Sequence, residues 1–278
     1  MRDTIKTKSG AWGFTFGEPF GVHHLTKINF VMMKKVIVSW FFLLLSTYSF
    51  AQISQNRYIP GEKLKFIIYY GMVNGGYINA ELVATEYEGK IAYHSKMLAT
   101  TAGLADLLYK VRDEYQSYFD PETSLPFKSV RDIREGKYKR YDLAFFDHKN
   151  LKVLNDKNKE FIVPADIRDM VSVFYYIRNM DFEKMKYDDI IKVNTFFDNE
   201  IFPFDMRYRG IVKIKTKMAE YICIKLVPFV EPGRIFEKED DMRIYLTADT
   251  NRVPVRVEFD LKVGTVKCDL IEYSGLKY

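Results

Sequence analysis

Few residues of this chain combine the chemical type and the spacing that catalysis or metal binding requires. His94 precedes Ser95 in a predicted strand, where adjacent side chains point to opposite faces, so the two cannot act together as base and nucleophile. No Gly-x-Ser-x-Gly sequence occurs. Asp147-His148 has no second histidine nearby, and Asp-His-Lys-Asn is typical of a polar turn. The sequence therefore predicts no catalytic residue, no metal ligand and no cofactor.

Two further candidates are an acidic segment and a pair of cysteines. The acidic segment 237–241 lacks the ligand spacing of a calcium-binding loop and indicates a solvated turn. Cys268 falls on the apolar face of its predicted strand, whereas Cys223 falls on the polar face of its own strand. This difference favours two free thiols, although a disulfide stays open for an exported chain.

A third set of residues could line a binding cavity instead of doing chemistry. Small-molecule sites are mostly apolar with a few placed polar groups, and tyrosine combines an apolar ring with a polar tip. Asp169 and Arg178 could supply polar groups, or they could simply satisfy the ends of a helix. The candidate ligand-binding residues are the aromatic residues of the first hairpin and of the helix, with these two charged residues: Phe66, Tyr69, Tyr70, Tyr77, Phe174, Tyr175, Asp169 and Arg178.

The elements that must position these side chains are mostly short strands. Residues 63–70 alternate in hydrophobicity, and Asn74-Gly75-Gly76 predicts the turn that follows. Further strands are predicted at 77–87, 91–100, 111–119, 127–134, 138–147, 151–154, 190–197, 204–208, 211–217, 221–227, 242–247, 255–261 and 265–273. Many short strands with tight turns favour an antiparallel sheet that curls or closes.

One helix is predicted at about 166–178, with Asp166 as its N-cap. Its apolar stripe has helical spacing and consists of Ile167, Met170, Val171, Phe174 and Ile177. A shorter helical turn is predicted at 103–109. Because an apolar helix needs a sheet to cover it, we predict a mainly β fold: a curved antiparallel sheet or half-open barrel that wraps one short helix.

The N-terminal region predicts export. Lys34-Lys35 precedes an apolar run at 36–45, and small residues stand at Ser49 and Ala51, the order of a signal peptide. We interpret 32–51 as a signal peptide cleaved after Ala51, with an uncleaved anchor as the alternative, although the run is shorter than the roughly 20 residues that span a bilayer. Residues 1–31 are interpreted as an over-called start outside the fold, and 52–278 as a single β-rich exported domain.

The charge of the predicted domain excludes a common class of partner. Residues 52–278 contain 36 basic and 35 acidic residues, so there is no excess positive charge for nucleic acid. We expect a periplasmic or secreted protein that binds no nucleic acid and is not an integral membrane protein after cleavage.

Four segments carry a resemblance to a known family. They are Pro-Gly-Glu-Lys-Leu at 60–64, Tyr-Lys-Val-Arg-Asp-Glu-Tyr at 109–115, the helix at 169–178 and the hairpin at 246–256. In these the chain resembles an uncharacterised exported family catalogued as domain of unknown function 3108, and the resemblance implies no chemistry. The last hairpin also resembles those of periplasmic lipoprotein carriers, whose half-open barrels line an apolar cavity, although a shared fold does not transfer function.

Three functional hypotheses follow. The preferred one is a non-enzymatic exported envelope protein that binds an apolar small molecule, a lipid-like ligand or a lipidated partner. The first alternative is a structural or interaction protein whose barrel is filled by side chains. The second is an envelope-directed hydrolase whose catalytic residues come from distant strands. An apolar cavity large enough for an acyl chain would favour the first hypothesis over a filled barrel. A buried carboxylate pair or a His–carboxylate pair in a cleft would favour the hydrolase.

Overall fold

Antiparallel strands form most of the described chain, which in this computed structural model comprises residues 56–230, 236–262 and 264–278. The predicted start region 1–31 and signal peptide 32–51 lie outside the described residues. No helix within the described ranges combines the length and the apolar character needed to cross a membrane.

The strands and helices have the following bounds. The strands are β1 Lys63–Tyr70, β2 Val73–Tyr87, β3 Lys90–Thr101, β4 Arg112–Phe119, β5 Pro126–Glu135, β6 Tyr138–Asp147, β7 Lys152–Asn155, β8 Glu160–Ile162, β9 Ile190–Ile191, β10 Asn194–Phe197, β11 Glu200–Pro203, β12 Met206–Lys215, β13 Glu220–Pro228, β14 Met242–Thr247, β15 Pro254–Leu261 and β16 Gly264–Ser274. The helices are α1 Gly103–Leu108, α2 Ser172–Asn179 and a 3-10 turn Phe182–Lys184.

Fourteen of these strands form one antiparallel sheet, in the order β8-β7-β6-β5-β4-β3-β2-β1-β16-β15-β14-β13-β12-β9. Strands β10 and β11 form a separate hairpin. The order has two ends, so the sheet is not closed into a barrel among the described residues. The predicted mainly β fold, a curved antiparallel sheet with a short helix, is confirmed.

Helix α2 covers the inner face of this sheet. Val173 and Ile177 pack with Leu226 and Ile244 in one buried cluster, and Tyr175 packs with aromatic residues in another. Burial of one such aliphatic side chain stabilises the fold by about 1.5–3 kcal/mol. Packing against the sheet therefore holds an eight-residue helix that would be marginal alone.

The start of α2 differs from the prediction, because the helix begins at Ser172 and not near residue 166. The backbone of Arg168 is engaged elsewhere: its N–H donates to the Asn194 carbonyl at 2.9 Å, and its carbonyl accepts from Phe196 at 2.7 Å. Asp169, not Asp166, satisfies the first turn, since its Oδ1 accepts the N–H groups of residues 171 and 172 at 2.7 and 2.8 Å.

The predicted turn at 74–76 is also wrong. The first hairpin turns at Gly71-Met72, and β2 already begins at Val73. The register shifts by one residue near Ile68, which leaves Gly75 as the extra residue of a bulge. A side chain at Gly76 would clash with the backbone of the neighbouring strand β3, so this glycine serves close strand packing.

The two cysteines are free and buried, as the alternation of their strands favoured. Cys268 pairs in register with Val257 on the face that α2 covers, whereas Cys223 pairs with Thr247 on the opposite face. Side chains on opposite faces of a sheet cannot approach within disulfide distance.

Candidate functional site

An apolar cavity of about 220 Å³ lies between α2 and the inner face of the sheet. It exceeds the roughly 150 Å³ of an engineered apolar cavity that binds benzene, and is smaller than the roughly 300–1,000 Å³ of most ligand pockets. Its lining residues are Leu64, Phe66, Ile68, Ile78, Ala80, Met97, Phe174, Tyr175, Arg178, Met242, Pro254, Val257, Phe259, Val266 and Cys268.

Strand alternation explains why these side chains converge. In β1, Leu64, Phe66 and Ile68 point to the inner face, because successive side chains alternate. Residues directly opposite each other in antiparallel strands share a face, and Ile68 pairs with Cys268, which in turn pairs with Val257. The sheet therefore presents a continuous apolar wall to α2.

A buried ion pair forms the one charged part of the lining. Arg178 donates through Nη1 and Nη2 to the two carboxylate oxygens of Glu62 at 2.6 and 2.7 Å, and the two side chains are 2% and 1% exposed. The guanidinium also donates to the carbonyl of Asn251 at 3.2 Å. Because its charge is neutralised in this way, Arg178 does not offer a free cation to a ligand.

Tyr175 brings a phenol to the same lining. Its Oη lies 3.0 Å from the hydroxyl oxygen of Ser95. Burial raises the pKa of Tyr175 well above its ordinary value, so the phenol is neutral near neutral pH. The cavity therefore combines apolar walls with polar groups that already have partners.

The structure brings four of the eight sequence-predicted ligand residues into the lining: Phe66, Phe174, Tyr175 and Arg178. Tyr69 and Tyr77 lie on the outer face of the sheet, where the Tyr69 hydroxyl donates to Asp269 Oδ2 at 2.9 Å. Tyr70 ends β1 and is half-exposed beside Gly264.

Asp169 lies away from the cavity lining and is fully buried at the start of α2. Besides the two backbone N–H groups, it accepts a hydrogen bond from Ser117 Oγ at 2.5 Å. Burial raises the pKa of Asp169 from 3.8 to about 6, while these hydrogen bonds lower it. Its position is that of a helix cap.

Sequence reasoning missed the lining residues of the C-terminal strands and the partner of Arg178. Val257, Phe259 and Val266 lie on the inner face, and the alternation of residues along their strands could have predicted this from the sequence. Glu62 gave no signal, because a glutamate before a strand is ordinarily exposed.

The groups that suggested chemistry have other partners. His94 Nε2 lies 2.8 Å from Gln116 Oε1, and the Ser95 hydroxyl points to the opposite face toward Tyr175. His148 Nε2 lies 2.8 Å from the carbonyl of Pro126. Within the described ranges, no group of three or more His, Cys, Asp or Glu side chains could hold a metal ion.

An ionic network occupies the outer face opposite the cavity. Arg256 donates to both carboxylate oxygens of Asp269 at 2.6 and 2.7 Å, and Asp269 also accepts the backbone N–H of Lys217 at 2.9 Å. Arg243 donates to Glu258 at 3.0 Å in the same band of the sheet. This arrangement joins strands β14, β15 and β16 through their side chains.

Comparison with known proteins decides the family. The sequence model of the family described as protein of unknown function DUF3108 matches residues 65–271. This chain belongs to the DUF3108 family. The predicted resemblance is thereby confirmed, and the family description names no activity.

One solved structure shares the fold of this DUF3108 chain. A β-barrel-like protein of domain of unknown function DUF1849 from Brucella abortus aligns with a TM-score of 0.54 and 9% identity, over 79% of this chain and 98% of that one. A predicted lipoprotein from Parabacteroides distasonis aligns with a TM-score of 0.35 and 11% identity, over 79% and 98%. The first likeness shows a shared fold alone. No curated protein matches the DUF3108 chain significantly in sequence.

Proposed function

We propose that this DUF3108 protein is an exported, non-catalytic protein of the cell envelope that binds an apolar, lipid-like ligand in the cavity beneath α2. The observation that carries the proposal is the cavity itself, about 220 Å³ and lined almost wholly by apolar side chains. Covering apolar surface that water would otherwise contact is favourable by about 25 cal/mol per Å². An apolar group bound between α2 and the sheet would cover the surface of this lining.

The lining also defines the class of ligand. Arg178 and Tyr175 already have partners, so the walls offer no free donor to a sugar, nucleotide or phosphate. The volume suits one thin apolar group, such as a segment of an acyl chain, whose polar end stays outside. The same site would accept an acyl chain attached to a partner protein.

Export is supported by the leader pattern at 32–51 and is tested separately. N-terminal sequencing of the protein recovered from the envelope fraction should begin at Gln52. Recovery of the intact chain from the cytoplasm would contradict export.

Ligand binding is tested with an environment-sensitive apolar fluorophore, titrated into the folded protein well below its melting temperature. We expect saturable binding that a long-chain fatty acid reverses. Ala80→Phe would place a ring into the cavity and should weaken dye binding at least tenfold. Ala84→Phe makes the same change at an exposed position further along β2 and should leave binding unchanged.

The outcome also separates this proposal from a filled, purely structural interior. If the folded protein takes up no dye, or if Ala80→Phe binds it as well as the unmodified protein, the ligand proposal fails. An interaction protein would then be the better interpretation. Circular dichroism and the melting temperature of Ala80→Phe show whether weaker binding comes from a filled cavity or from a lost fold.

A further inference from the structure

A group of large apolar side chains is exposed where the central strands β1, β2 and β3 end, in the β1–β2 turn and in the helix that follows β3. In helix α1, Leu107 and Leu108 are 84% and 85% exposed, and Leu104 is also exposed. In the neighbouring β1–β2 turn, Met72 is 98% exposed and Val73 is exposed beside it. We call these five residues the leucine rim. Single exposed apolar residues are ordinary, but a cluster of this kind marks an interaction surface.

Polar contacts, and not burial of its leucines, hold α1 in place. The backbone N–H of Ala102 donates to the carbonyl of Gly75 at 3.0 Å, which ties the helix to the first hairpin. Asp106 accepts from the Thr101 hydroxyl and from Arg112 Nη1, both at 2.7 Å. No residue of α1 is buried. The helix is therefore fixed so that its leucines project into solvent.

The leucine rim borders the end of the apolar cavity. Ile68 and Val266 line the cavity, and Tyr70, which pairs with Val266, is followed directly by the Gly71-Met72 turn. Ile68 pairs with Gly76, and the preceding residue, Gly75, accepts the hydrogen bond from Ala102 at the start of α1. The rim therefore lies a few residues along β1 and β2 from the cavity lining.

Basic side chains flank the leucine rim. Lys110 follows α1, and its carbonyl accepts the N–H of Gly136 at 2.7 Å, which places the β5–β6 turn with Lys137 and Lys139 alongside. All three lysines are exposed, and none of them forms an ion pair within the described part of the chain. The carboxylate of Asp106 is neutralised by Arg112. Glu135 and Asp113 lie close to each other in the same region, so the three lysines form an exposed cationic patch beside the rim without making its whole border positive.

We propose that the leucine rim docks the protein onto the surface of a bilayer that contains anionic lipids. Exposed leucines next to lysines match the two forces that hold interfacial segments: apolar side chains enter the headgroup boundary, and cations meet the negative surface. The role of docking in loading the cavity rests on the proposed function, whereas docking itself is measured without any cavity ligand.

The test is flotation of the purified protein with phosphatidylcholine vesicles and with vesicles that also contain phosphatidylglycerol. We expect binding to the anionic vesicles. Replacing Leu107 and Leu108 by Ser should lower the partition coefficient at least tenfold. Replacing Lys137 and Lys139 by Gln should lower the partition coefficient on anionic vesicles about 25-fold, from about fivefold per lysine, and leave binding to neutral vesicles unchanged. Ile91→Ser is the matched control, because Ile91 is 76% exposed and lies at the other end of β3, away from α1.

The outcomes separate docking from its alternatives. Equal binding by the Leu107/Leu108 variant and the unmodified protein would overturn the inference. A dimer seen by sedimentation velocity that the leucine changes abolish, without any vesicle binding, would assign the rim to a second copy instead. Ala80→Phe should lose the dye and keep vesicle binding. If the protein binds the dye but not the vesicles, the docking proposal is refuted and the ligand site stands. If it binds the vesicles but not the dye, the ligand site is refuted and docking stands.

Discussion

The buried pair of Glu62 and Arg178 gives the sharpest stability prediction. Both side chains are almost completely removed from water, and two short hydrogen bonds join them. Glu62→Gln keeps the shape of the side chain and removes its charge, which leaves the Arg178 guanidinium buried without a counter-charge. Breaking a buried pair in this way costs about 3–5 kcal/mol.

An exposed pair in the same strand region supplies the control. Lys65 Nζ lies 2.7 Å from Glu272 Oε2, but these side chains are 41% and 68% exposed. Glu272→Gln should therefore cost less than about 1 kcal/mol. Both substitutions change Glu to Gln, but the Glu62 pair is buried and joined by two bonds to an arginine, whereas the Glu272 pair is exposed and joined by one bond to a lysine. The control therefore contrasts burial and two-bond geometry together.

Equilibrium unfolding in urea measures both effects. With a slope of about 2–3 kcal/mol per M, the Glu62→Gln midpoint should fall by roughly 1–2 M. The double variant Glu62→Leu/Arg178→Met should recover much of the loss, because an apolar pair has no charge to leave unpaired. If Glu62→Gln and Glu272→Gln shift the midpoint by the same amount, burial of the Glu62–Arg178 pair does not set its contribution to stability.

Three further predictions follow from burial. Burial raises the pKa of Asp169 to about 6, so its protonated form stabilises the fold by roughly 2–3 kcal/mol below a pH of about 4. This stabilisation is lost as the pH rises through 6. The free energy of unfolding of the unmodified protein, relative to that of Asp169→Asn, should therefore fall by the same amount across this range. Ile177→Ala should cost about 2–5 kcal/mol, whereas Phe174→Ala, at a half-buried position that already faces the cavity, should cost less than about 2 kcal/mol, as comparison of their urea midpoints will show. Burial raises the pKa of the Cys223 and Cys268 thiols to about 12, so a thiol reagent should label neither in the native protein and both after denaturation.

Local patterns were sufficient for many of the strands. The bounds of β1, β6 and β14 agree with the prediction, because alternation and turn residues are properties of adjacent positions. The start of α2 could not be found in this way, since the backbone of Arg168 pairs with β10, far along the sequence. A single strand predicted at 190–197 is split for the same reason, with β9 in the large sheet and β10 in the hairpin.

The candidate site was only half accessible from the sequence. Aromatic content suggested a cavity, but the grouping of Tyr69 with Phe66 ignored the alternation of β1, which places them on opposite faces. Pairing of Glu62 with Arg178 depends on tertiary contact between residues 116 positions apart, for which one sequence carries no local signal.

The order of the strands also decides when the fold can be completed. Strands β2 to β8 on one side and β12 to β15 on the other connect mostly neighbours in sequence, whereas β1 and β16 meet in the middle of the sheet and bring together Lys65 and Glu272, 207 residues apart. A chain that is still being made therefore holds two separate half-sheets, and β1 has no partner on one edge until the last strand is present. Such long-range pairing forms slowly. Removal of β16 would divide the sheet into two halves with open edges, which α2 and its contacts would still connect.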